Sequence, residues 1–233
     1  MGSANRLVES VAVIDAGVTL LGEVSRFWDN AATVSSMLIA EFASSPLRIV
    51  DHETLEAPRA EDFAKVAAPL DSTLTAELDG AQWYLGVAGE EILLAALGLA
   101  IARTIGEGVV AVDVAGHRGA VALSCTSAGL ATATETLGAV HHMLETGPSA
   151  PKLAAQPPSE ICFSYLGTEP SLRHALELRA YRADDLVQLD WWYDTRGFDP
   201  YTVEELAEQL PLALIELTSE ASPQPHTPMA VGH

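Results

Sequence analysis

An α/β sandwich, a mixed β-sheet packed by helices, is the fold class this 233-residue sequence predicts. Three observations predict it. The stretch EEILLAALGLAIAR (90–103) is apolar almost all the way round, as a helix enclosed between layers must be. The β-branched run VVAVDV follows directly at 109–114, and three further strand candidates lie late in the chain. Finally, Thr202 and Glu205 stand at capping-box spacing ahead of a last helix.

Taken in order, the region from Ser10 to Ala43 has apolar residues at mixed three- and four-residue spacing and reads as helical. A short strand is expected at Leu47–Val50, then a polar, proline-marked loop over Ala57–Asp62. Helix 90–103 stops at Gly106, and GEG at 106–108 turns into strand 109–114. AGHRG (115–119) is read as a loop, and a helix is expected over 134–145. After the proline-rich connector GPSAPKLAAQPPS come strands at 161–167, 175–182 and 186–194, the last two joined by a tight turn at Ala183–Asp184. The last helix covers 202–218, with Pro211 expected to kink or end it. Residues 222–233 hold too little apolar content to pack and read as a disordered tail. The chain thus divides into an N-terminal helical and linker region (1–68), a main unit (69–221) and the tail, with no internal repeat.

Composition excludes several functions. With 32 acidic against 12 basic residues, the surface field repels nucleic acid and anionic membrane. No apolar run approaches the roughly 20 residues that span a bilayer. Cys125 and Cys162 are isolated thiols without CxxC spacing, which suits a reduced cytoplasm and offers no zinc site. His52, His174, His226 and His233 show no metal-ligand spacing either. A cytoplasmic protein with no bound metal or cofactor is expected. Ser124, Cys125 and Ser127 lack a G-x-S-x-G elbow, and Cys125 has no neighbouring basic residue to activate it, so a hydrolase reading is set aside.

Four stretches in order over residues 70–218 resemble the condensation and epimerization domains of nonribosomal peptide synthetases, the epimerization branch most. Glu91-Ile-Leu-Leu-Ala-Ala-Leu-Gly98 is similar to DxLLAAxG, and Ala115-Gly116-His117-Arg118-Gly119 stands where that branch carries EGHGRE. Phe163-Ser164-Tyr165-Leu166-Gly167 is similar to FNYLG, and LVQLDWWYD with YTVEELAEQL resembles the closing hairpin and helix. The family's domain consists of two lobes of chloramphenicol-acetyltransferase type facing each other across a cleft, with HHxxxDG in the first. The resemblance therefore implies a chloramphenicol-acetyltransferase-like half-domain, the second lobe alone.

His141-His142-Met-Leu-Glu-Thr-Gly147 looks like HHxxxDG but falls after the DxLLAAxG-like stretch, where the family has an unrelated helix. On that helix adjacent histidines point about 100° apart, and Thr146 replaces the motif's aspartate. Replacing His141 or His142 by alanine is expected to change any activity less than about threefold.

For catalysis the resemblance implies, in this lobe, the first glutamate of EGHGRE and the tyrosine of FNYLG. Only Tyr165 has a counterpart, since Ala115 replaces the glutamate. The candidate site residues are Tyr165, His117 and Asp113. Tyr165 reads equally as a core tyrosine with its hydroxyl at the sheet edge. Asp113, His117 and Arg118 could form an acid–imidazole pair at a strand end, or brace two lobes as residues there do in the family. Of the adjacent Trp191 and Trp192, one should face the core and the other, like Trp28, a partner.

Three functions remain. One is a half-domain without catalysis of its own, docking or structural, in peptide natural-product assembly. Another is an enzyme that rebuilds a cleft by pairing with another chain or itself and acts on a thioester or small amide. The last is a small-metabolite binding protein. The resemblance admits a phosphopantetheine-linked carrier-protein substrate, with a carrier protein, a synthetase module or a complementary first-lobe chain as partner. A lone lobe exposes the surface that meets its twin, so a homo- or hetero-oligomer is expected.

Overall fold

The computed structural model describes residues 46–54, 56–127, 129–147, 159–167 and 169–221. The helices expected over 10–43, Trp28, most of the proline-rich connector and the tail lie outside the described residues.

Six strands, β1 (Phe63–Ala67), β2 (Gly108–Val114), β3 (Ala120–Cys125), β4 (Ile161–Tyr165), β5 (Leu176–Ala183) and β6 (Leu186–Asp194), form one mixed sheet in the order β1-β6-β5-β4-β2-β3. β2, β4 and β5 run parallel to their neighbours among themselves, while β1, β3 and β6 pair antiparallel. Four helices, α1 (Ser72–Leu85), α2 (Gly89–Thr104), α3 (Ala133–Thr146) and α4 (Pro200–Glu220), contact one another and cover one face of this sheet. Alternation fixes which face: Val110, Val112, Val114, Ile161, Phe163, Leu178 and Trp191 are buried beneath the helices. The opposite face carries no helix among the described residues.

α2 is buried on every side from Ile92 to Ala102 because strands β3 and β4 lie below it and the other three helices enclose it above. This explains its lack of a polar face. Its start is fixed by Glu91, whose carboxylate accepts the Ala88 N–H at 2.9 Å. α3 begins one residue before the expected position, with a capping box in which Glu135 accepts the Thr132 N–H (2.8 Å) and Thr132 Oγ1 accepts the Glu135 N–H (3.3 Å). The β5–β6 hairpin forms as expected, with its turn one residue later, at Asp184 and Asp185, both at positive φ. No single described helix is long and apolar enough to cross a membrane.

Several elements differ from expectation. Leu47–Val50 is not a strand: Pro46 makes an isolated bridge to Val109, and the Ile49 N–H goes to the Glu160 carboxylate instead of a ladder. β1 pairs Phe63–Ala67 with Asp194–Asp190, so residues placed in the linker region supply an edge strand. α1 and β3 have no counterpart among the expected elements, the first because Thr75 and Ala81 leave Leu78 and Leu85 as the large apolar residues of its buried face, the second because most of its residues are small. The last helix runs from Pro200 through Pro211 to Glu220 rather than ending at the proline. Pro200 at the first turn is pre-set for helix, so the start lies ahead of Thr202, and Glu205 accepts from Gln209 Nε2 (2.9 Å) instead of closing a capping box.

Candidate functional site

The parallel strands β2, β4 and β5 end at the same edge of the sheet, where α1 ends and α2 begins. In open α/β sheets this carboxyl edge is where ligands gather. Tyr165 closes β4, His117 follows β2, and Arg182 sits near the end of β5. The Gly89 backbone approaches Tyr165 so closely that a Cβ there would stand 2.5 Å from the tyrosine hydroxyl and 2.8 Å from Gln82 Oε1. Gln82 Oε1 also accepts the Gly89 N–H at 3.0 Å, tying the end of α1 to the start of α2.

Several charges at this edge are paired locally. His117 Nε2 lies 3.6 Å from Glu90 Oε2, and Arg182 pairs with Asp79. His141, on α3, holds Glu91 through Nδ1 at 2.9 Å and lies 3.4 Å from Glu145 through Nε2. His142 is exposed. Burial pushes the Tyr165 hydroxyl above its ordinary pKa; Arg182 opposes this, while Asp79 and Glu90 add to it. A tyrosine so placed remains protonated at neutral pH, able to donate a hydrogen bond but unsuited to abstracting a proton. Ala115, exposed after β2, presents only a methyl group.

The structure brings Tyr165 and His117 to this edge and separates Asp113 from them. Asp113 does not pair with His117: alternation along β2 turns it to the helix-free face, where Oδ2 meets His174 Nε2 at 2.7 Å. His174 Nδ1 in turn stands 3.5 Å from Glu177 Oε1, an electrostatic contact too long for a good hydrogen bond. Sequence reasoning weighed His174 only as a metal ligand and passed over Glu90, Gln82 and Arg182, because their partners are distant in the chain and no spacing signals them. Burial raises Cys125 to about 12, so the thiol beside Ser124 stays unreactive. Trp191 faces the core and Trp192 the opposite side, half-buried, with Lys65 Nζ 5.6 Å from its ring. Among the described residues no group of His, Cys, Asp or Glu is placed to hold a metal ion.

His141→Ala should cost about 1 kcal/mol of stability, because it strips the half-buried Glu91 of its imidazole partner, whereas His142→Ala should stay within about 0.5 kcal/mol. Urea unfolding of the two variants checks this.

No protein-family model matches the chain. Among curated proteins it is similar to a subunit of the phenolphthiocerol/phthiocerol polyketide synthase of Mycobacterium tuberculosis and to its namesake in Mycobacterium bovis. Each is 30% identical over an alignment 260 positions long that takes in 86% of this chain and 17% of the relative. The chain therefore spans about a sixth of the length of those relatives. Among solved structures it resembles the epimerization domain from the third module of tyrocidine synthetase B (18% identity, TM-score 0.55, 86% of this chain and 56% of that one). It also resembles the X-domain from teicoplanin biosynthesis (16%, 0.55, 88% and 58%) and a cyclization-docking bidomain of a nonribosomal peptide synthetase from Sorangium cellulosum (15%, 0.55, 84% and 49%). A six-stranded mixed sheet under four helices, matching about half of each of these structures and carrying the motifs of the later half in their order, has the fold of a single lobe, the second, of the condensation and epimerization type of domain.

Proposed function

We propose that this chain is a condensation/epimerization-like lobe without catalysis of its own, serving a docking or structural role in an assembly line that carries its intermediates as thioesters. Two similarities support the setting: the fold relationship to peptide synthetase domains and the 30% identity to a segment of a polyketide synthase. The observation that carries the non-catalytic reading is the carboxyl edge of the sheet. Its acids and bases are matched among themselves (His117 with Glu90, His141 with Glu91, Arg182 with Asp79), and a methyl group, Ala115, occupies the place of the expected glutamate. Among the described residues of this edge, Tyr165 is a proton donor without a matched base. A carrier protein, a synthetase module or a complementary first-lobe chain is the proposed partner, and a phosphopantetheine-linked acyl or aminoacyl group the proposed cargo.

The second reading, an active site completed by a partner lobe, is favoured by one feature: Tyr165 stands at the strand edge beside an N-terminal helix turn, as a proton donor would. One assay decides between them. Aminoacyl- and peptidyl-thioesters on a carrier protein are offered to the purified chain, and solvent deuterium at Cα and new amide bonds are followed by mass spectrometry. No incorporation above background is expected, and Ala115→Glu alone should not restore any, since general acid–base groups contribute about 10²- to 10⁴-fold each and more than one is missing. Turnover faster than about one per minute that Tyr165→Phe abolishes would overturn the non-catalytic reading.

A further inference from the structure

The helix-free face of the sheet is polar in its middle. One row across it runs Lys65, Trp192, Glu177, Cys162 and Asp113, and the next runs Ala67, Asp190, Arg179 and Ser164. Apart from His174 Nδ1, which stands 3.5 Å from the Glu177 carboxylate, two buried nitrogens on this face lack a hydrogen-bond partner, Arg179 Nε and Trp192 Nε1. Both atoms are donors only. Arg179 faces Asp190 and Trp192 faces Glu177 across the β5–β6 ladder, so the two are diagonal neighbours, about 7–8 Å apart by ordinary sheet geometry.

The acids alongside are already engaged. Asp190 Oδ2 accepts from Lys65 Nζ at 2.7 Å and from the Tyr181 hydroxyl at 3.2 Å, although Arg179 is its cross-strand partner. Glu177 faces His174 and accepts from Ser171 Oγ (2.5 Å) and the N–H groups of Ser171 and Arg173 (2.8 and 2.9 Å). Arg179 is left stacked on the Tyr181 ring at 5.5 Å. In a chain of net charge −20, this is a half-buried cation without an ion pair among the described residues, whereas the other described cations lacking one, Arg118 and Arg173, are exposed. Leaving buried donors unmet costs stability, a cost that an arriving acceptor removes.

We propose that this face holds a binding site for an oxyanion, the carboxylate or phosphate of a small ligand. Arg179 binds it by the guanidinium fork, Trp192 Nε1–H donates a further hydrogen bond, the positive charge of Lys65 lies nearby and the Ser164 hydroxyl borders the site. A neutral carbonyl would satisfy the indole but not the charge, whereas an oxyanion meets both and matches the planar fork. The site lies on the face away from the helices and does not rest on the docking reading.

The test uses the full chain with inorganic phosphate or acetate at constant ionic strength, chloride serving as the reference. The thermal midpoint should rise with anion concentration beyond the chloride control, as a ligand that binds only the folded state requires. A response to phosphate alone assigns a phosphate site, to acetate alone a carboxylate site, and to both the shared chemistry. Arg179→Gln should weaken binding at least tenfold, with Arg179→Lys intermediate. Should Arg179→Gln not fold, Trp192→Phe, which keeps a ring but loses the N–H, should weaken binding several-fold. An equal response in wild type and whichever of these variants folds, or no anion outperforming chloride, overturns the proposal.

Discussion

Glu177→Ala is expected to lower stability by about 3–5 kcal/mol, the range for removing one partner of a buried charge pair. The carboxylate is only 2% exposed, and it pins the segment before β5 through Ser171, Arg173 and the His174 N–H. Its removal orphans these donors and leaves His174 with Asp113 alone. Glu177→Gln keeps an acceptor and should cost less, about 1–3 kcal/mol. The pH dependence separates this from a simple packing loss. Burial works to raise the Glu177 carboxyl, but His174, Ser171 and the backbone N–H groups of Arg173 and Leu172 outweigh it and hold it down to about 2. Its contribution is therefore present above the ordinary carboxyl value of 4.5 and is lost as pH falls from there toward 2. His174 behaves oppositely: the contact with Glu177 raises its pKa, burial opposes, and Asp113 adds to the rise. Its contribution is full below the ordinary imidazole value of 6.5 and is lost as pH climbs through the raised folded value. The clasp should be strongest between those two ordinary values. Urea midpoints measured from pH 3 to 9 should show both limbs in the wild type and shallower ones in Glu177→Ala; parallel curves for the two proteins would refute the assignment.

The legible parts of the fold are those in which a single residue pattern serves a single environment. α2 announces itself because a helix enclosed on every side needs no polar face, and β5 and β6 because apolar residues alternate along them and turn under the helices. β3 is silent because Ala120, Ala122 and Ser124 face away from the helices and leave only Val121, Leu123 and Cys125 as signal. Proximity along the chain also assigns Asp113 to His117. Strand alternation overrides proximity, since a residue on the helix-free face meets whatever crosses that face, here His174 from the loop before β5. The demotion of His141 and His142 rests on helix geometry, and the structure places them on α3 with His141 toward α2 and His142 outward. Unpartnered donors such as Arg179 Nε leave no mark in sequence, because their significance lies in the missing partner.

Two glycines inside helices should respond differently to alanine, and the difference measures how closely α2 lies on the sheet. A glycine in a helix interior costs about 1 kcal/mol relative to alanine, so each replacement begins with that gain. At Gly80, exposed on α1, a Cβ would meet nothing within 4 Å, and Gly80→Ala should stabilise by about 0.5–1 kcal/mol. At Gly98 the same atom would stand 2.8 Å from the Ser124 carbonyl oxygen and 3.5 Å from Leu123 Cδ1. The nearer neighbour is edge-strand backbone and not the end of a flexible side chain, so β3 or the helix must shift, and overpacking of this kind costs about 1–3 kcal/mol. Gly98→Ala should therefore be neutral to destabilising by about 2 kcal/mol. Gly98→Val adds two methyl groups at the same clash and loses the propensity gain; it should cost more than about 3 kcal/mol and separate β3 from α2. Thermal unfolding of the three variants, with hydrogen exchange on Val121–Cys125, tests this directly. Stabilisation by Gly98→Ala equal to that by Gly80→Ala would mean that α2 does not approach β3 through Gly98, and the layer packing that places Glu91, His141 and Tyr165 at the carboxyl edge would have to be redrawn.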